Sequence, residues 1–374
     1  MTYVIVITVQ LVLRPPDILG GVEKVAEQSN RLVSLDYLRG YFIIVIIIDH
    51  LSRFPSAWQL ITGQGLLWAT AAEGFLMISG LMIGYVRGLK DKSRPFSNVA
   101  SKLLKRSLLL YVWMVIGSLL YVALTWSLAT LTDMPWYNAP TGDWAVVVNQ
   151  VITMQVPHIW VHFLYLYAIF LALSVPAVWL LRYNQPWIIA CFSIVGYIYG
   201  LEAGIEWLRL QIIFFIPVIA GFYIPAITTR WRSNQYKLFM TRFILISALV
   251  TVCISAFYVM NESAIPGAAK VNQIFTIERF NIARVAISAL WFTALVLAFH
   301  RITPWLQSRP FGVVRHFGTH SLTAYIAHGL VLCGVSIAIP IKDSFIVNTL
   351  AGFAAVLGVY VFIRLPVLRK LLPR

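Results

Sequence analysis

The sequence predicts an all-α, polytopic membrane protein with about ten transmembrane helices in one bundle and both termini cytoplasmic. Three observations predict it. Of 374 residues, 60% are hydrophobic and only 11% charged. Several uninterrupted apolar runs reach the roughly 20 residues that a bilayer core requires, and they lack the period-2 alternation of a membrane barrel. The basic residues alternate between loops: with the N-terminus inside, all 29 lysines and arginines except Arg53, Arg209, Lys270, Arg279, Arg284 and Lys342 fall on the cytoplasmic side. That is the asymmetry by which positive charge orients spans, and a missed span would scramble it.

The formal charge of +15 is spread over these loops and forms no basic domain, which argues against a nucleic-acid partner. Cys191, Cys253 and Cys333 lie in predicted spans without metal-ligand spacing, so no metal or disulfide is expected.

Residues 1–30 read as an N-terminal extension. Tyr3 to Leu13 is apolar but short for a span, and it meets Arg14-Pro-Pro rather than a small-residue cleavage site. A membrane domain over 31–374 follows, with spans near 37–53, 66–87, 106–129, 157–181, 187–202, 206–227, 239–259, 281–300, 320–340 and 345–363.

The first span carries Asp36, Arg39, Asp49 and His50. On a helix, Asp36, Arg39 and His50 fall within about 60° of one another, with His50 roughly 16 Å beyond Arg39 along the axis. Ionisable groups in a spanning helix lose solvation unless they face protein or a water-filled cavity, so a functional site is the default reading. Interfacial anchoring is the plain alternative for Asp36 and Arg39. Asp49 points about 100° away from His50.

On the second span, Glu73, Met77, Gly80, Gly84 and Arg87 form one stripe, with glycines spaced to admit another backbone. The first span is the expected neighbour, which would bring Glu73 to His50. Lys102, Lys105 and Arg106 precede the third span; they serve orientation, or a phosphorylated cytosolic donor.

Outside, Trp136, Tyr137, Trp144, His158, Trp160 and His162 read either as an interfacial belt or as a wet acceptor mouth. His158 and His162, four apart, share a helical face, yet no carboxylate or cysteine completes a zinc site. In the ninth span, Ser321, Tyr325 and His328 share a face, with His328 near mid-membrane.

Four segments together are similar to the acyltransferase type 3 superfamily of membrane enzymes, and within it to the OpgC (glucan biosynthesis protein C) type. They are Asp36-x-x-Arg39-Gly40 with a histidine eleven residues after the arginine; Ala71-Ala72-Glu73-x-Phe75-x-x-Ile78-Ser79-Gly80; Lys105-Arg106-Ser-x-x-x-Tyr111; and Phe163-Leu-Tyr-Leu-Tyr167 with Pro176. A fifth, Gly318-x-x-Ser321-Leu-x-x-Tyr325-x-x-His328, resembles the wider superfamily. The likeness runs from Arg31 nearly to the end.

This resemblance implies an acyltransferase domain that moves an acyl group from cytosolic acyl-CoA to a carbohydrate hydroxyl across the inner membrane. For the narrower type, the reaction is succinylation of osmoregulated periplasmic glucans. Acyl-CoA is then a co-substrate, with no cofactor held permanently. The superfamily's functional histidine maps onto His50 and its first-span arginine onto Arg39, whereas the usual Arg-x-x-Arg before the third span is here Lys102-x-x-Lys105-Arg106.

The expected catalytic set is His50, Glu73 and Asp49, with Glu73 orienting a His50 general base. Arg39, Asp36, Lys102, Lys105 and Arg106 are expected to hold the donor; His158, His162, Trp160 and Arg53 the acceptor; Ser79, Tyr325 and His328 complete the site. A transporter or flippase of a glycan substrate is the rival class, and a structural subunit of an envelope assembly the third.

Overall fold

The computed structural model describes residues 23–128, 142–308 and 311–365. Residues 1–22 of the predicted extension, and Trp136 and Tyr137 of the long outer loop, lie outside them. Among the described residues the regular structure is helical, without strands.

Among the described residues, seven helices are long and apolar enough to cross a membrane: α4 (Phe96–Ser127), α6 (His162–Arg182), α7 (Pro186–Ala203), α11 (Lys237–Met260), α13 (Ile282–Gln307), α15 (Ser321–Ala338) and α16 (Phe345–Phe362). They coincide with seven of the ten predicted spans, which makes the chain a multi-pass membrane protein.

The other three predicted spans differ, each for a physical reason. Helix α1 (Glu23–Leu51) is long enough, but Asp36, Arg39 and Asp49 interrupt its apolar stretch; it also reaches back across the predicted boundary at residue 30. The second span is divided between α3 (Ala71–Ile83) and a π-helical turn, Gly84–Lys90. The sixth is a bent pair: α8 (Glu206–Leu210) and α9 (Ile212–Phe222) meet α10 (Ile224–Ser233) at 72°. Pro225, in the first turn of α10, has no N–H to continue the preceding ladder, and this accounts for the break. Short helices α2 (Trp58–Thr62), α5 (Trp144–Ile152), α12 (Ala268–Ile274) and α14 (Gly312–Thr319) lie in the connections.

The chain divides into two compact units. One holds the described residues up to Leu38, with Leu66–Leu104 and Phe170–Leu306. Its centre is the packing of α3 on α9. A Cβ at Gly80 would strike the Phe214 carbonyl, one at Gly84 the Val218 carbonyl, and one at Gly221 the Leu81 carbonyl. The glycine stripe thus does admit a second backbone, as its spacing predicts, but that backbone is α9. Nearby, Trp68 stacks on Phe275 with ring centroids 4.1 Å apart and donates its indole N–H to Asn272.

The other unit holds Arg39–Gly65, Lys105–Ile169 and the described residues from Gln307 onward. Here Gly40 of α1 lies against the backbone of Val314 and Gly318 of α14, and Gly352 of α16 admits the Trp58 indole. Gly329 of α15 meets the rings of Tyr121 and Trp160, which fixes α15 against α4 and the turn before α6.

Candidate active site

His50 closes α1, and the next residue but one, Ser52, takes a positive φ of 53° that ends the helix. His50 as a residue is half-buried. Its Nδ1 lies 2.7 Å from Nε2 of His328, a fully buried side chain on α15, and the two rings are stacked with centroids 4.9 Å apart. Nδ1 of His328 meets the backbone carbonyl of Tyr325, one turn earlier on the same helix. The direct partner of His50 is therefore a second imidazole.

Aromatic side chains pack this pair. Tyr325 stands edge-on to His50 with ring centroids 6.3 Å apart, and its hydroxyl accepts from the Phe163 N–H at 3.3 Å. Tyr121 of α4 donates to the Ile326 carbonyl at 2.5 Å and faces both His158 and Trp160, at 5.5 and 5.3 Å between centroids. The backbone N–H of His158 donates to Ser118 of α4 at 3.0 Å.

His158 and Trp160 are buried, 0% and 2% exposed, so they form part of the packed wall and not an open aromatic rim. They lie in the turn ahead of α6, which begins at His162; the predicted helical face shared by His158 and His162 does not exist, because the helix starts too late. His162 is half-buried against Tyr165. The described residues hold no group of three or more His, Cys, Asp or Glu placed to bind a metal ion.

Other expected site residues find different surroundings. Asp49 lies beside Gly65, whose positive φ of 74° is a backbone conformation that favours glycine. Arg53 is 1% exposed and donates to the Ile339 carbonyl at 2.6 Å, at the C-terminal end of α15, where the helix dipole favours a cation.

Glu73, in the other unit, has both oxygens engaged there. Oε2 accepts from the Thr70 N–H at 2.8 Å and its hydroxyl at 2.5 Å, capping α3, while Oε1 pairs with Nε and Nη2 of Arg284 at 2.6 and 2.5 Å. The carboxylate expected to orient His50 is thus neutralised by an arginine of α13, and the ion pair is almost wholly buried. Ser79 is buried on the same helix. Lys102, Lys105 and Arg106 are exposed on α4, and Asp36 and Arg39 are half-buried on α1.

The sequence named His50, Tyr325 and His328 but not their contact, because helical periodicity places each residue on a face without saying which other helix that face meets. Tyr121 and Ser118 were missed, since a tyrosine and a serine in an apolar run carry no distinctive pattern.

A family profile described as OpgC protein matches residues 31–368. No curated protein and no solved structure matches the chain.

Proposed function

Because the chain belongs to the OpgC protein family, we propose that it is a membrane O-acyltransferase of the inner membrane, moving an acyl group such as succinyl or acetyl from cytosolic acyl-CoA to a hydroxyl of an extracytoplasmic glycan. The observation that carries this reading is the imidazole of His50 at the end of an apolar helix, held at 2.7 Å by a second, buried imidazole. A general base needs a free lone pair and a group that orients its ring, and the contact through Nδ1 supplies the orienting group.

In the proposed reaction, His50 takes the proton of a sugar hydroxyl as the oxygen attacks the thioester carbonyl. A C–O bond forms, the C–S bond breaks, and the proton passes to the departing thiolate. The alternative, a transient acyl-histidine, uses the same lone pair as nucleophile. Rapid-quench trapping of acylated protein separates the two routes. Tyr325, Tyr121 and Trp160 wall the pair with aromatic surface, which limits water near a hydrolysable thioester. Arg39, Lys102, Lys105 and Arg106 are the proposed contacts for the donor's phosphates, and His162 the proposed acceptor contact nearest the wall. Glu73 is assigned to structure.

The test is transfer of radiolabelled acyl groups from acyl-CoA to envelope glycan by the purified protein in lipid. Labelled glycan is expected; a protein that moves glycan unchanged across the bilayer without labelling it would make the chain a carrier instead.

A further inference from the structure

We infer that His328 is a positioning residue that fixes the tautomer of His50, through a proton chain anchored on the Tyr325 backbone carbonyl, so that the lone pair of His50 sits on Nε2. This deepens the proposed acyl transfer and rests on that reading for its catalytic consequence.

A carbonyl oxygen can only accept, so the Nδ1 of His328 that meets the Tyr325 carbonyl must carry its proton. A neutral His328 then presents a bare Nε2. The 2.7 Å approach of His50 Nδ1 to that atom needs one proton between them, and it can come only from His50. Nδ1 of His50 is therefore the protonated nitrogen, and Nε2 is left basic. When Nε2 takes a substrate proton, the Nδ1 proton of the resulting imidazolium still lies between two nitrogens and is shared with His328. The logic is that of a base oriented by a third group, with an imidazole in place of the usual carboxylate.

Three features keep the chain rigid. His328 is 0% exposed, Gly329 brings its backbone against the Tyr121 and Trp160 rings, and the Tyr121 hydroxyl ties the next turn of α15 at Ile326.

The experiment uses full-length protein in lipid, labelled with ¹⁵N-histidine, without any substrate. Of seven histidines, the signals lost in His50→Ala belong to His50. They are expected to show a protonated Nδ1 and an unprotonated Nε2 at neutral pH, and to become a mixture of tautomers in His328→Leu. A proton on Nε2 of His50 in the wild-type protein overturns the inference.

In turnover, His328→Leu is expected to lower kcat by about 10- to 100-fold with KM for donor and acceptor nearly unchanged, and His328→Gln, whose amide oxygen can accept from Nδ1, to recover part of it. If His50→Ala is inactive while His328→Leu keeps full kcat, the relay falls and the acyl-transfer reading stands. If His50→Ala itself is active, that reading falls, whatever the tautomer.

Discussion

A histidine and a glutamate, both in apolar surroundings, make two different kinds of contact. His50 meets His328 through one ring nitrogen, whereas Glu73 spends both oxygens on Thr70 and Arg284. Replacing His50 by Ala should cut transfer by at least about 100-fold while membrane insertion and chromatographic behaviour stay normal, as radiolabel transfer and gel filtration would report. Replacing Arg284 by Met should leave a buried carboxylate uncompensated and cost roughly 3–5 kcal/mol, seen as a lower Tm in lipid or detergent. Adding Glu73→Gln to that variant should restore most of the loss, because the stranded charge is removed with its partner. A folded but inactive double variant would return Glu73 to the chemistry.

Helix packing here is set by where backbones touch. Gly80 of α3 and Gly84 of the π-helical turn that follows it face carbonyl oxygens of α9, and no side-chain rotation can relieve a Cβ placed there. Gly80→Val should therefore separate the two helices and cost more than the roughly 1–3 kcal/mol typical of an overpacked core, measured by thermal unfolding. Gly334 of α15 provides the contrast: a Cβ there meets nothing within 4 Å. Gly334→Ala should leave Tm unchanged or raise it by the equivalent of up to about 1 kcal/mol, since alanine is the better helix former. The same reasoning explains why α15 is held so firmly beside His328, where Gly329 admits two aromatic rings.

At the scale of the whole chain, the placement of charge predicts orientation. With both termini inside, a reporter fused after Arg374 should be active only in the cytoplasm, and Lys270→Cys should react with a membrane-impermeant thiol reagent added from outside. Reaction only after permeabilisation would reverse the orientation. Mass spectrometry of envelope glycans with and without the protein would give the added mass, and with it the acyl group.

By itself, the amino-acid sequence determined the helical membrane class and seven of the spans, and it singled out His50, Tyr325 and His328 as candidates, because ionisable residues in apolar runs and the spacing of such runs are local signals. Only the tertiary structure decided who meets whom. His50 pairs with a residue 278 positions away, Glu73 with one 211 away, and Gly80 and Gly84 with α9. Periodicity tells which face of a helix is costly to leave in lipid. Among many helices with such faces, the choice of partner depends on close packing and on which buried charges and protons find a complement, and neither is written in any single segment.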